Sequence, residues 1–192
     1  FRSLVHEFDE IIQKKPSTLS SQASTSSVEE PQEELANLEA YLARAQKRYR
    51  EGTLDLAFQD YEKVRQLDPS CTEAWFGRGM IHAATQYLDE SIRDFQQVIE
   101  LNPLHNGARL NRGLAYFAKE EHTRAIQDFS FVLQTNPTLG EAYVNRAVAL
   151  AQIGRFEEAI EDINAALNIL PQAPELYVNR AHMKHQQGDA KG

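Results

Sequence analysis

The stretch "EAWFGRGMIHAATQYLDESIRDFQQVIELNP", residues 73–103, decides the fold. It holds two apolar-periodic runs of helical length, separated near Gln86 and stopped by Pro103. Two amphipathic helices joined by a tight turn make a hairpin, and a proline cannot continue the second helix, so the chain must turn and begin again. The pattern returns along the chain: Pro69, Pro103, Pro137 and Pro171 stand 34 residues apart. The same period superposes Tyr41, Trp75, Tyr143 and Tyr177, then Ala45, Gly79, Gly113, Ala147 and Ala181, then Ala57, Ser91, Ala125 and Ala159. Small residues at fixed helix positions let neighbouring helices approach closely, and turns are expected near Gly52, Gln86, Glu120 and Gly154. The predicted fold class is all-α, an α-α superhelix (solenoid) of stacked helical hairpins.

The order aromatic, small, small, aromatic, proline in residues 73–103 resembles the tetratricopeptide repeat family. The resemblance spans four full units, 38–71, 72–105, 106–139 and 140–173, with the first helix of a fifth over 174–192, so an array over 35–192. Arg109 departs from it, standing where other units place an aromatic. Two segments precede the array. Residues 1–15 place Phe1, Leu4, Val5, Phe8, Ile11 and Ile12 on one helical face, an amphipathic helix that must bury its stripe. Phe8, Ile11 and Pro16 align with Phe95, Val98 and Pro103, so this segment reads either as the remnant of a preceding repeat or as a free docking helix. Residues 16–34 are rich in Ser and Thr and acidic at their end, the composition of a disordered linker.

Each unit has an arginine at one position: Arg44, Arg78, Arg112, Arg146 and Arg180. Sixteen residues later stand Asp60, Asp94, Asp128 and Asp162. With a turn midway, an antiparallel hairpin returns the aspartate to the height of the arginine, so the two are expected to pair. The arginine lies toward the packing face of its helix, where a guanidinium needs a counter-charge. The expectation is a structural ladder of buried ion pairs that fixes hairpin register, not a ligand-binding row.

A second apolar stripe runs along the first helices, centred about a third of a turn from the packing face. It comprises Phe76 and Met80, then Leu110, Leu114 and Phe117, then Val144 and Val148, bordered by Asn111, Asn145, Asn179 and His182. Such a stripe is either covered by a neighbour or open as a groove. The family resemblance implies the groove, since these arrays line a concave surface with first-helix positions. Asparagine can donate to and accept from a peptide backbone, so these residues are candidate peptide-binding positions. The resemblance also implies a test for one specialised ligand. The family's clamp for chaperone carboxy-termini uses lysine, asparagine and arginine, whereas Phe76, Met80, Asn111, Glu141 and Asn145 occupy the corresponding positions, so no carboxylate clamp is expected.

Composition narrows the remaining classes. The chain has 192 residues, 42% hydrophobic and 25% charged, enough for a packed core. Its net charge of -8 disfavours nucleic acid and anionic membrane, and no apolar run approaches the roughly 20 residues that cross a bilayer. One cysteine, Cys71, excludes an internal disulfide and fits an intracellular, cytoplasmic setting, with cilium or cytoskeleton as variants. The chain reads as a piece of a longer protein. No nucleotide-binding glycine loop, HExxH or CxxC occurs, and His182, His185 and Glu175 lack a fourth ligand, so no metal, cofactor or catalytic site is expected. Glu120-Glu121 and Glu157-Glu158 fall at hairpin turns as solvated charges. The functional expectation is a non-catalytic scaffold whose groove binds an extended or helical apolar segment of a protein partner. The alternatives are a recruiting or regulatory arm of an enzyme with its catalytic domain elsewhere, and a structural component of a cytoskeletal or ciliary complex.

Overall fold

The computed structural model describes residues 38–190, and the segments 1–15 and 16–34 lie outside them. Among the described residues there are nine α-helices and no strand: α1 (Leu38–Arg50), α2 (Leu54–Leu67), α3 (Thr72–Ala84), α4 (Leu88–Leu101), α5 (Asn106–Ala118), α6 (His122–Thr135), α7 (Gly140–Gln152), α8 (Phe156–Ile169) and α9 (Pro174–Ala190). They divide into two compact units, residues 38–101 and 102–190, at a repeat boundary. The first holds the hairpins α1–α2 and α3–α4. The second holds α5–α6, α7–α8 and the helix α9.

Every hairpin turn is built alike. Gly52, Gln86, Glu120 and Gly154 have φ of 77°, 64°, 61° and 77°. One residue in the left-handed region lets the chain reverse while its amides satisfy the last carbonyls of the first helix. Thus Gly154 N donates to Ala151 O at 3.0 Å and Arg155 N to Leu150 O at 2.9 Å, and Glu120 N and Glu121 N bond Phe117 O and Tyr116 O, each at 2.9 Å. Two turns use glycine, which takes this backbone without penalty. Gln86 and Glu120 hold it against the steric preference of an L side chain.

The turns between hairpins share another design. Pro69, Pro103, Pro137 and Pro171 follow Asp68, Asn102, Asn136 and Leu170, and backbone bonds Cys71 N to Asp68 O, His105 N to Asn102 O and Leu139 N to Asn136 O close them. In the first three the Asp or Asn side chain also accepts from the amide two residues on, at 2.9, 3.2 and 3.3 Å.

Helices then pack through the small positions. Ala45 and Ala147 are wholly buried, and the rings of Phe95 and Phe129 lie over Gly79 and Gly113. In residues 38–101 the core gathers Tyr41, Ala45, Ala57, Tyr61, Val64, Cys71, Ala74 and Ile81. In residues 102–190, Ala147, Ile163, Ala166, Leu176 and Met183 form a cluster joining α7, α8 and α9.

Candidate interaction surface

The repeated arginines stand on the first helix of each hairpin and meet the aspartates on the second. Arg44 donates Nε and Nη2 to the two carboxylate oxygens of Asp60 at 3.0 and 2.8 Å. Arg112 does the same to Asp128 at 2.7 and 2.6 Å, and Arg146 to Asp162 at 2.8 and 2.7 Å. These are two-pronged, charge-assisted bonds, the strong kind. Arg78 makes a single bond to Asp94 at 3.1 Å, and His82 Nδ1 stands 2.9 Å from the other carboxylate oxygen. The aspartate side chains are nearly sealed, at 4 to 8% exposure, whereas Arg44 remains 35% exposed and Arg112 12%. Hydrogen bonding to Asp162 holds the Arg146 guanidinium above the usual arginine range, against the opposing effect of burial.

A contact that the period alone does not announce lies on the other side of three of these arginines, Arg78, Arg146 and Arg180. Sixteen residues before them, on the preceding hairpin's second helix, stand Glu62, Ser130 and Asn164. Arg78 Nη1 donates to Glu62 at 2.5 Å, Arg146 Nη1 to Ser130 Oγ at 3.0 Å and Arg180 Nη1 to Asn164 at 2.9 Å. One guanidinium thus ties its own hairpin to the one before. The signal was available as a column of polar residues at that position, but its residue types vary too much to register as a motif.

Arg109 keeps the chemistry of the aromatic position it occupies. Trp75 Nε1 donates to Pro69 O at 2.8 Å and Tyr177 Oη to Pro171 O at 3.2 Å. Arg109 Nη2 donates to Pro103 O at 3.1 Å while its guanidinium lies over the Phe131 ring, 3.6 Å from the centroid. A flat group with an edge N–H or O–H satisfies the same turn carbonyl in all three.

The second stripe is not uniformly open. Phe76 and Met80 on α3 are half-buried. On α5, Leu110, Leu114 and Phe117 are also half-buried, but on α7 Val144 and Val148 are packed away at 8% and 3% exposure. Those two α7 positions therefore belong to the core more than to a surface. On α9, His182 is exposed. The asparagines differ as well. Asn111 Nδ2 donates to Gly107 O of its own helix at 2.8 Å, Asn179 is buried, and Asn145 is buried with its Nδ2 left without an acceptor among the described residues. Within residues 102–190 these elements leave a small cleft with room for about one water, lined by Leu114, Phe117, Phe129, Asn145 and Val148. Phe129 is the lining residue the sequence reading missed, because a second-helix aromatic opposite a glycine reads as core, which it also is. Among the described residues no group of three His, Cys, Asp or Glu could hold a metal ion, and no helix is long and apolar enough to cross a membrane.

Comparison with known proteins follows the same lines. No curated protein matches the chain. Among solved structures, the crystal structure of MamA protein superposes with a TM-score of 0.75 at 21% identity, covering 79% of this chain and 82% of that one. MamA 41-end from Desulfovibrio magneticus RS-1 gives 0.75 at 19% identity over 80% and 87% of the two chains, and a further crystal structure of MamA gives 0.69 at 24% over 73% and 82%. At such identities the likeness shows the fold, an all-α helical-repeat solenoid. Three family models described as tetratricopeptide repeat match residues 72–103, 88–139 and 140–173. They run without a gap over more than half of the 192 residues. The chain belongs to the tetratricopeptide repeat family, whose helical hairpins serve as scaffolds for protein–protein interaction.

Proposed function

We propose that residues 102–190 act as a non-catalytic scaffold that captures an uncharged segment of a protein partner, with one apolar side chain of that segment packed over the cleft beside Asn145. The observation that carries this reading is the Asn145 carboxamide: it is 4% exposed, lines the cleft, and its Nδ2 has no acceptor among the described residues. A buried amide N–H without an acceptor costs on the order of 1–3 kcal/mol, so a ligand carbonyl brought to it recovers free energy that water cannot easily supply there. Leu114 and Phe117, both half-buried, supply apolar surface over the buried Phe129 and Val148, and a partner's aliphatic or aromatic side chain gains about 25 cal/mol for each Å² it hides there. The site is a single pocket with one polar anchor rather than an evenly spaced asparagine ladder, since Asn111 already bonds Gly107 O of its own helix.

A random peptide library displayed on phage, selected on the full chain and counter-selected on Asn145→Ala, tests the reading. Sequences enriched around one apolar residue should bind the native chain and lose at least tenfold affinity on Asn145→Ala. Selected peptides that bind both proteins equally would refute it.

A further inference from the structure

The Asn145 donor is out of reach while the cleft keeps its present shape. Its Nδ2 is sealed from solvent and the cleft has room for about one water, so neither a partner's carbonyl nor its side chain can enter until a wall moves. Three of the five lining residues are poorly placed to yield: Phe129, Val148 and Asn145 are 0%, 3% and 4% exposed, and the Phe129 ring lies over Gly113 in a close-packed interior. The half-buried Leu114 and Phe117 remain. Phe117 stands in the last turn of α5, just before the left-handed Glu120, and its ring leans on that of His122 with centroids 5.1 Å apart. His122 breaks the period. The same position holds Leu54, Leu88 and Phe156 in the other hairpins, all apolar and half-buried, whereas His122 brings a ring nitrogen, Nδ1, that is sealed with no partner among the described residues. Two buried nitrogens without a bond, one on His122 and one on Asn145, thus flank the ring of Phe117.

We propose that Phe117 is a gate over the Asn145 cleft and that His122 is the positioning residue that keeps this gate ready to open. With the ring closed, both nitrogens stay buried and unbonded, and each lost hydrogen bond weighs against the closed arrangement. Swinging the ring outward lets water reach His122 Nδ1 and lets a partner's carbonyl reach Asn145 Nδ2, so opening relieves what closure leaves unmet. A leucine at position 122, as in the hairpins of Leu54 and Leu88, has no such nitrogen and holds the ring shut. The gate also sets selectivity, because the space a phenyl ring vacates between Leu114, Phe129 and Val148 suits an aliphatic or aromatic side chain and offers nothing to a charged one. The open form need be only a minor one, on the order of 0.1–10% of molecules, for a partner with preference for it to draw it out. The inference rests on the Asn145 reading of the cleft, yet opening can be measured with no partner present.

Thiol labelling of the full chain decides the matter. In a Cys71→Ser background, Val148→Cys places a thiol on the wall behind the ring, and its rate of reaction with benzyl methanethiosulfonate, whose aromatic arm stands in for a partner's side chain, follows local opening. Val144→Cys is the control, since Val144 is also buried on α7 but lies outside the lining of the cleft. Phe117→Ala should speed labelling at position 148 at least tenfold and His122→Leu should slow it at least fivefold, while labelling at position 144 changes by less than about twofold in either. The sign of the second effect is what separates positioning from packing, because loss of a merely structural side chain loosens its surroundings and speeds labelling. Rates at position 148 unmoved by Phe117→Ala, equal changes at both positions, acceleration by Leu114→Ala alone, or faster labelling in His122→Leu would each overturn the proposal. Failure of the underlying reading shows elsewhere: selected peptides that ignore Asn145→Ala would sink that reading and leave these rates as they are.

Discussion

Gly113 and Phe129 offer the sharpest test of how the hairpins pack. A Cβ placed on Gly113 would lie 2.6 Å from Phe129 Cε1, 3.0 Å from Cδ1 and 3.1 Å from Cζ. The ring is fully buried and cannot swing to solvent. To reach ordinary contact it must retreat by nearly an ångström through a close-packed interior, and such overpacking costs about 1–3 kcal/mol, partly offset by about 1 kcal/mol from replacing glycine with alanine inside a helix. Gly113→Ala is therefore expected to destabilise by about 1 kcal/mol. Phe129→Ile alone leaves the space over Gly113 unfilled and should cost about 2 kcal/mol. Together they rebuild the pair that the next hairpin already uses, Ala147 with Ile163, both wholly buried. The double variant should then lie within about 1 kcal/mol of the native chain, a favourable coupling of roughly 2 kcal/mol. Urea unfolding followed by far-ultraviolet circular dichroism gives the four midpoints, with an unchanged slope checking that the same surface unfolds in each. Simple additivity, with coupling below about 0.5 kcal/mol, would show that the ring does not set the helix spacing. Gly79 and Phe95 repeat the geometry at 2.7 Å and provide an independent second cycle.

Further expectations follow from the polar framework. Asp128→Asn removes the counter-charge of an Arg112 side chain that is only 12% exposed; losing one partner of a buried pair costs about 3–5 kcal/mol, and asparagine, which keeps one acceptor, should lose about 2–3 kcal/mol. An unfolding midpoint close to native, in a chain with unaltered helicity, would contradict that burial. Glu120→Gly relieves a left-handed backbone at φ 61° and should raise stability by about 0.5–1 kcal/mol, while Gly154→Ala, at φ 77°, should lower it by a similar or larger amount; thermal melts of the two variants must move in opposite directions. Burial, reinforced by Tyr49 and opposed by Arg50, pushes the Tyr61 hydroxyl up to about 12 from an ordinary value near 10. A raised folded value favours the protonated form, so this contribution, at most about 3 kcal/mol, is complete below pH 10 and is lost as pH climbs toward 12. Tyrosinate absorbance titrated alongside circular dichroism should show Tyr61→Phe resisting alkaline unfolding better than the native chain.

The fold was legible because every one of its joints is a local rule that repeats. Proline after the second helix, a turn eight residues past the arginine, and a small residue opposite a ring each depend on residues within one hairpin, and a 34-residue period displays them in register. The arginine and aspartate columns could be joined on paper because a hairpin with a central turn fixes which heights coincide. The bond from arginine back to Glu62, Ser130 or Asn164 was not legible, because it crosses between hairpins and tolerates any acceptor. Arg109 looked like a departure for a related reason. Reading residue type, one sees a lost aromatic; reading what the position must do, one sees a flat donor over Phe131 reaching Pro103 O.

The candidate site resisted sequence reading for a deeper reason. A period establishes that two residues occupy equivalent positions, but exposure and bonding are set by what lies across from them. Leu114 and Val148 are one period apart, yet the first is half-buried at a cleft and the second is 3% exposed on its wall. Asn111 and Asn145 are equivalent too, yet one spends its amide on Gly107 O and the other keeps a buried N–H without an acceptor. An array of identical positions would recognise a repetitive ligand, one contact per unit. Unequal positions would instead concentrate recognition locally, and in the reading proposed above that place is beside Asn145, where a buried donor without an acceptor among the described residues borders apolar side chains. It follows that truncating Asn111 should matter far less to any captured segment than truncating Asn145, although the sequence gives the two residues the same standing.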